Sequence, residues 1–411
     1  MTTMSLPNTG LRKDATVIGL VGLAHGISHF SQLLLAPLFP WLKDAFAVSY
    51  TELGLLMTIF FVVSCVVQTL SGFWVDRYGP RPVLFAGLAL VGVAALGFAA
   101  SQSYLMLAAF SVVAGTGNGV FHPVDYTVLN RKIAKQRLGH AYSVHGVTGS
   151  LGWALAPALL VPITVASSWR VALVCASALA FGVLAVLWLK RKELDVEPLA
   201  PTPAKAGTGG ATVEGSLDFL RIPAVWMCFA FFFFYAGALS VVQTFAPSAA
   251  RELHAVPAEL AAMCLTVYMV CSACGMVAGG FLATDPARCE RVVGASFGLA
   301  ACVALALGFM QMPAFAVPVL FGTMGFVSGM AGPSRDLIVK RSAPDNATGR
   351  VFGVVYSGLD IGQAVVPIMI GSLMDHGAYR SVWLALAMLQ GALVMTAFNV
   401  GRARRTVLVP A

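Results

Sequence analysis

Apolar residues along this chain gather into twelve long runs, at roughly 15–39, 51–75, 82–100, 104–129, 139–163, 169–189, 222–247, 257–282, 291–311, 314–338, 350–374 and 379–400. Most hold about 20–25 residues, and at 1.5 Å per residue a helix of that length crosses the ~30 Å hydrocarbon core of a bilayer. The pattern predicts an all-α membrane protein with twelve transmembrane helices. Between the sixth and seventh runs the composition changes. "KRKELDVEPLAPTPAKAGTGGATVEGSLDFLR" is charged and then rich in Pro, Gly, Ala and Thr. It cannot span a membrane and reads as a cytoplasmic linker. The expected organisation is an N-terminal bundle of six helices over 1–189, a linker over 190–221 and a C-terminal bundle of six over 222–411.

Composition supports lipid as the solvent. Of the 411 residues 58% are hydrophobic and 11% charged, against roughly 25% charged in a soluble protein. The net charge of +8 does not indicate nucleic acid, because the basic residues sit in short clusters between the apolar runs. With the N-terminus in the cytoplasm, the external loops hold only Lys43, Arg170, Arg251 and Arg380 out of 26 Lys and Arg. The opposite orientation would invert that bias. Both termini are therefore expected inside, in a multi-pass protein of the plasma (inner) membrane. Arg12 and Lys13 precede a run too long for a signal peptide and without a clear cleavage site, so it reads as a retained first helix. Cys271-Ser-Ala-Cys274 has redox or zinc spacing but no second Cys pair beside it. Small packing residues are the reading, with no disulfide framework, no metal and no cofactor.

The two halves match each other. At a shift of 210 residues, Gly115, Gly119, Pro123, Arg131, Gly139, Gly152 and Pro157 fall on Gly325, Gly329, Pro333, Arg341, Gly349, Gly362 and Pro367. Ala36-Pro37 falls on Ala246-Pro247. Repeated prolines within apolar runs imply repeated helix kinks.

"GFWVDRYGPRP" links the second and third runs. Its Gly72, Asp76, Arg77, Gly79 and Arg81 carry the G-x-x-x-D-R-x-G-x-R pattern, and the loop resembles the signature of the major facilitator superfamily. Gly72 is expected to permit close helix approach, Asp76 to cap the next helix or bind cations, and the arginines to anchor the turn. "GGFLATDPARCERVV" is a degraded copy, with Arg291 on Arg81 and Asp285 one residue early. More narrowly, "AHGISHFSQLLLAPLFPWLKDAFAVSYTELGLL" and "GTGNGVFHP" resemble the fosmidomycin resistance group of efflux transporters. The chain departs from that group at Ser28-His29, where Asn-Asp is usual, and at Val124-Asp125, where Glu is usual. It also lacks the superfamily's usual fourth-helix Arg. The resemblance implies two pseudo-symmetric six-helix bundles, a substrate site near the midplane lined by the first, fourth, seventh and tenth helices, and alternating access.

Polar residues inside the apolar runs are the candidate chemistry. Positions i, i+4 and i+7 share a helix face. His25, His29 and Gln32 form such a set, as do Asn118, His122 and Asp125, and Tyr356, Asp360 and Gln363. A charge at mid-bilayer costs about 2.5–3.5 kcal/mol on insertion scales, so Asp125 must face water, find a partner or hold a proton. Arg335 is its equivalent at the 210 shift, and Tyr235 is that of His25. Asp125, His122, His29 and His25 are expected to couple protons. Asn118, Gln32, Tyr235, Gln243, Arg335, Tyr356, Asp360 and Gln363 are expected to bind substrate. Pro123 removes a hydrogen bond to the carbonyl of Gly119 and should kink the fourth helix. No ATP-binding motif is present, so an ion gradient must drive any uphill transport, and no His-Glu-x-x-His is present, which argues against a zinc-dependent enzyme. The expected function is proton-coupled efflux, an antiport, of a small organic molecule by a monomer. Uptake of a carboxylate or phosphonate is the alternative.

Overall fold

The computed structural model describes residues 9–196, 223–282, 288–335 and 348–407, with side chains left out at 9, 224, 348–356 and 400–407. Much of the expected linker and Asp285 lie outside the described residues. So does the side chain of Tyr356.

Inside lipid every backbone N–H and C=O must find a partner within the protein, so an apolar run becomes helix. Twelve stretches among the described residues are long and apolar enough to cross a membrane, one for each expected run. They are built from helices α1 (Thr9–Gln32), α2 (Phe39–Phe46), α3 (Tyr50–Tyr78), α4 (Pro80–Ala100), α5 (Tyr104–Asn118), α6 (Phe121–Lys132), α7 (Leu138–Ala166) and α8 (Trp169–Leu189). After the linker come α9 (Pro223–Thr244), α10 (Ala246–His254), α11 (Ala258–Leu282), α12 (Cys289–Phe309), α13 (Ala316–Met330), α14 (Thr348–Asp375) and α15 (Tyr379–Val407). Large side chains on the outside remain uncovered: Leu105, Leu189, Phe281 and Phe315 are 77%, 78%, 77% and 75% exposed. In water that surface would be a liability; against acyl chains it costs nothing.

Several runs read as continuous are broken. The first divides at 33–38, where Pro37 and Pro40 begin a short 3-10 turn and then α2. The fourth divides at Gly119 and Val120, between α5 and α6. The seventh shows the same device as the first, since Pro247 opens the short α10. Both short helices end on an alanine with left-handed backbone, Ala47 at φ 52° and Ala255 at φ 50°. The sequence repeat is thus a repeat of local structure.

The helices divide into two compact units, residues 1–34 with 63–205 and residues 35–62 with 206–411. In the first, the aliphatic core gathers around Leu84, Leu88, Phe121, Val124 and Val128. In the second, it gathers around Phe231, Phe232, Val293, Phe297 and Leu393. Apolar burial drives little helix association in lipid, so close approach through small residues carries more of it. A Cβ on Gly152 would strike the carbonyl of Gly26, and one on Gly362 would strike the carbonyl of Phe233 and lie 3.0 Å from Ala236 Cβ. Gly26 and Ala236 are themselves 210 residues apart, so the same helix crossing occurs in both units. Helices α11 and α13 are closer still. A Cβ on Gly325 or Gly329 would clash with the backbone of Tyr268 or Ser272.

The signature loop makes a turn of one residue. Gly79 takes φ +82°, a region that favours glycine, and Pro80 starts α4 directly. No side chain caps α4, so the capping expected of Asp76 is not made. A Cβ on Gly72 would meet nothing within 4 Å among the described residues, so the expected close approach is absent there as well. Arg81 pairs with Asp195 at 3.1 Å, tying the start of α4 to the segment after α8. The Arg77 guanidinium lies 5.3 Å from the ring centre of Tyr78.

In the second unit the N-terminus of α3 is fully capped. Ser49 N donates to Glu52 Oε2 at 2.7 Å and Glu52 N donates to Ser49 Oγ at 3.1 Å, a capping box. Asp375, at the end of α14, accepts from Tyr50 N at 2.7 Å, Thr51 N at 2.9 Å and Thr51 Oγ1 at 2.6 Å.

Two outcomes follow for thermal unfolding of purified protein. Gly325→Ala and Gly329→Ala should each lower the melting temperature by an overpacking cost of about 1–3 kcal/mol. Gly139→Ala, which meets nothing within 4 Å, should not. Asp375→Ala, which uncaps two N–H groups of α3, should cost about 1 kcal/mol, with Asp375→Asn losing less.

Candidate functional site

Helix α1 carries His25, His29 and Gln32 on one face, and α7 brings His145, Gly149 and Trp153 against it. Gly149 makes room for the imidazoles: a Cβ there would lie 2.9 Å from His25 Nε2 and 2.9 Å from His29 Cε1. His25 stacks on His145, ring centres 3.5 Å apart at 24°. His29 lies 4.4 Å from His25 and 4.3 Å from Trp153 by ring centres. The Trp153 indole N–H donates to Gln32 Oε1 at 2.9 Å.

Helix α6 supplies the acid. Asp125 is 0% exposed. Its Oδ2 lies 3.1 Å from His145 Nε2 in a hydrogen bond and 3.2 Å from His25 Nδ1 at ion-pair distance. Its Oδ1 is buried without a hydrogen-bond partner, and so is His29 Nδ1. His122, one turn before Asp125, places its ring centre 5.4 Å from that of His25. Gln68 Oε1 accepts from His122 Nδ1 at 2.8 Å, which leaves the lone pair on Nε2. Four imidazoles and one carboxylate therefore share one interior pocket of the first unit. Sequence spacing singled out His25, His29, His122 and Asp125, and these four meet.

The break before α6 is what brings them there. Pro123 has no N–H to give the carbonyl of Gly119, and the Ser71 hydroxyl donates to that carbonyl instead, at 3.3 Å. Asn118, just ahead of the break, accepts from Ser28 Oγ at 2.8 Å and Ser31 Oγ at 3.4 Å, and donates to Ser64 Oγ at 2.9 Å. It joins α1, α3 and α5 in one network. Its amide is engaged by protein, and so is that of Gln32, although both were expected to meet substrate. Nearer the N-terminus, Arg137 donates to Asp14 Oδ2 through Nε at 2.8 Å and lies 2.7 Å from it through NH2. That pair ties α1 to the connection between α6 and α7.

The second unit holds the equivalents. The Arg335 guanidinium sits over the Tyr235 ring at 4.3 Å and near Phe232 at 5.9 Å. The pair matches His25 and Asp125 position for position, with a fixed cation where the first unit has a carboxylate. Gln363 Nε2 donates to Gln243 Oε1 at 3.4 Å, and Gln243 Nε2 is buried without a partner. Gln243 also lines a cavity of about 30 Å³ with Thr244, Ser248 and Arg251, room for a water molecule but not for an organic substrate. Asp360 is half-buried on α14.

His145, Gly149, Gln68 and Trp153 were not placed in the site from sequence. The signal for the first two was present: His145, Gly149 and Gly152 follow the same i, i+4, i+7 spacing as the stripe they face.

Known proteins resemble the chain along almost its whole length. It is 26% identical over 407 residues to the fosmidomycin resistance protein of Escherichia coli (strain K12), covering 95% of this chain and 94% of that one. It is 22% identical to a probable sulfoacetate transporter of Cupriavidus necator, covering 92% and 90%. It is 26% identical to a hexuronate transporter of Bacillus subtilis (strain 168), covering 77% and 74%. Among solved structures, a bacterial homolog of the human lysosomal transporter Spinster, in an inward-facing and occupied conformation, superposes with a TM-score of 0.75. The identity is 15%, over 97% of this chain and 99% of that one. The model of one family matches residues 21–367, a stretch that holds the signature turn, the histidine pocket and most of both repeats, and the chain belongs to that family, the Major Facilitator Superfamily.

Proposed function

We propose that this chain is a secondary transporter that exports a small organic molecule in exchange for protons, by alternating access across the plasma membrane, with both termini in the cytoplasm. One observation carries the reading: a fully buried carboxylate, Asp125, held by two imidazoles with two more beside it, inside a membrane-spanning bundle. Imidazole and carboxylate are the side chains with which transporters carry protons at neutral pH. The likeness to a fosmidomycin resistance protein supports the efflux direction.

The geometry supplies a route. Asp125 Oδ1, free of hydrogen bonds, is the oxygen open to a proton. Protonation there removes the charge that holds His25 and His145 together through Oδ2. The grip of α6 on α1 and α7 then loosens. A proton drives movement only if the two conformations bind it unequally, and a pocket whose helices shift with its charge meets that condition. One pH unit across the membrane supplies about 1.4 kcal/mol per proton.

Uptake of an organic anion is the second reading, favoured by the Arg335 guanidinium over Tyr235. Arginine keeps its charge at any physiological pH and suits a carboxylate or phosphonate. Two relatives are named as transporters of organic acids, a probable sulfoacetate transporter and a hexuronate transporter.

The test uses protein in liposomes and fosmidomycin, sulfoacetate and glucuronate as probes, choosing the one that raises the melting temperature. A pH gradient should drive the wild type to move that probe uphill. Asp125→Asn should abolish uphill movement while leaving exchange of probe for probe. Undiminished pH-driven transport by Asp125→Asn would reject the coupling role, and Arg335→Gln losing probe binding while Asp125→Asn retains it would favour the anion reading.

A further inference from the structure

The pocket holds more nitrogen ligands than a proton site needs. A carboxylate with one imidazolium partner is a complete ion pair; here three further imidazoles are packed against it. Their donor atoms fall into two overlapping sets, His25–Asp125–His145 and His25–His29–His122, each with its atoms within 4.8 Å of one another. We propose that this pocket binds one divalent transition-metal ion, with His25, Asp125 and His145 as ligands.

Distances, ligand chemistry and surroundings support it. Metal–ligand bonds of about 2.1 Å in a tetrahedral site place neighbouring donor atoms about 3.4 Å apart. The two nitrogen–oxygen separations at Asp125 Oδ2 are 3.2 Å and 3.1 Å, so an ion needs only small shifts of the rings. Imidazoles with a single carboxylate suit zinc, cobalt, nickel or copper, whereas magnesium and calcium require mainly oxygen ligands. The surroundings fit as well. Ligating histidines normally give their other N–H to a fixed acceptor, and Gln68 Oε1 holds His122 Nδ1 in that way. Gly149 keeps the space beside His25 and His29 clear. Asp125 Oδ1 and His29 Nδ1 are buried donor atoms that no protein group answers.

The same pocket is proposed above as the proton site. Metal binding is read here on purified protein without transport, so its failure rejects the metal and leaves proton coupling to the liposome assay. Protein freed of any polyhistidine tag is titrated with Co²⁺ and Zn²⁺, and separately with Mg²⁺ and Ca²⁺. Bound metal is measured after gel filtration, and the d–d absorption of Co²⁺ reports its coordination. The expected result is one Co²⁺ or Zn²⁺ per chain and no Mg²⁺ or Ca²⁺. His25→Gln and His145→Gln should each weaken binding at least about tenfold. His140→Gln, on the exposed start of α7, should leave it unchanged. Absence of Co²⁺ and Zn²⁺ binding by the wild type overturns the proposal whatever the variants do. Equal binding by His25→Gln and His145→Gln, eluting as the wild type does, also overturns it.

Discussion

Inside a bilayer no water answers a polar group, so the protein has to. That constraint accounts for the helices, and it accounts equally for the places where they fail. Pro123 frees the carbonyl of Gly119, and Ser71 takes it. The Asn118 amide is shared among three serines on neighbouring helices. Arg137 and Asp14 close on each other at the start of α1. In each of these cases a polar atom brought into the bundle is matched by a second one, and the match helps fix how neighbouring segments lie. At Asp125 the matching stops half-way. One oxygen is held twice and the other not at all. Of the buried polar atoms without a hydrogen-bond partner among the described residues, Asp125 Oδ1 belongs to the one carboxylate, and that opening is where ion chemistry can enter.

Packing obeys the same economy. Apolar side chains gain little by leaving lipid for the protein interior, so the helices hold together where small residues let backbones touch. Gly152 on Gly26 and Gly362 beside Ala236 repeat one crossing in both units. The pocket depends on the first of these, because it sets α7 against α1 at the depth where His145 meets His25. Gly149, one turn away, then leaves the rings their space. A packing motif and a chemical site share three residues of one helix face.

What could be read from sequence follows from which forces are local. The twelve spans were readable because bilayer thickness dictates run length. The faces of α1 and α6 were readable because helical periodicity dictates which residues align, and His25, His29, His122 and Asp125 do meet. The break after Gln32 was readable only as a kink, through Pro37 and its repeat Pro247; that the chain turns there into a separate short helix was not. Nor was the engagement of Asn118 and Gln32, because the serines and the indole that hold them come from helices whose rotation is set by tertiary contacts. His145 stands outside the expected proton-coupling set because its partner, Asp125, lies 20 residues away on another helix. Gly72 and Asp76 show the converse. A signature names residues that serve a family, yet neither the close approach nor the helix cap expected of them occurs in this structure.

The doubled architecture has one consequence beyond symmetry. His25 with Asp125 and Tyr235 with Arg335 occupy matching positions, and each pair is in contact within its own unit. Yet an imidazole with a carboxylate is a pair whose net charge a proton can change, while a guanidinium on a phenol ring keeps one value throughout. A duplicated bundle has drifted into two electrical characters, one variable and one constant. Exchanging the two pairs between the halves would conserve composition and length while moving the variable element to the other half of the molecule.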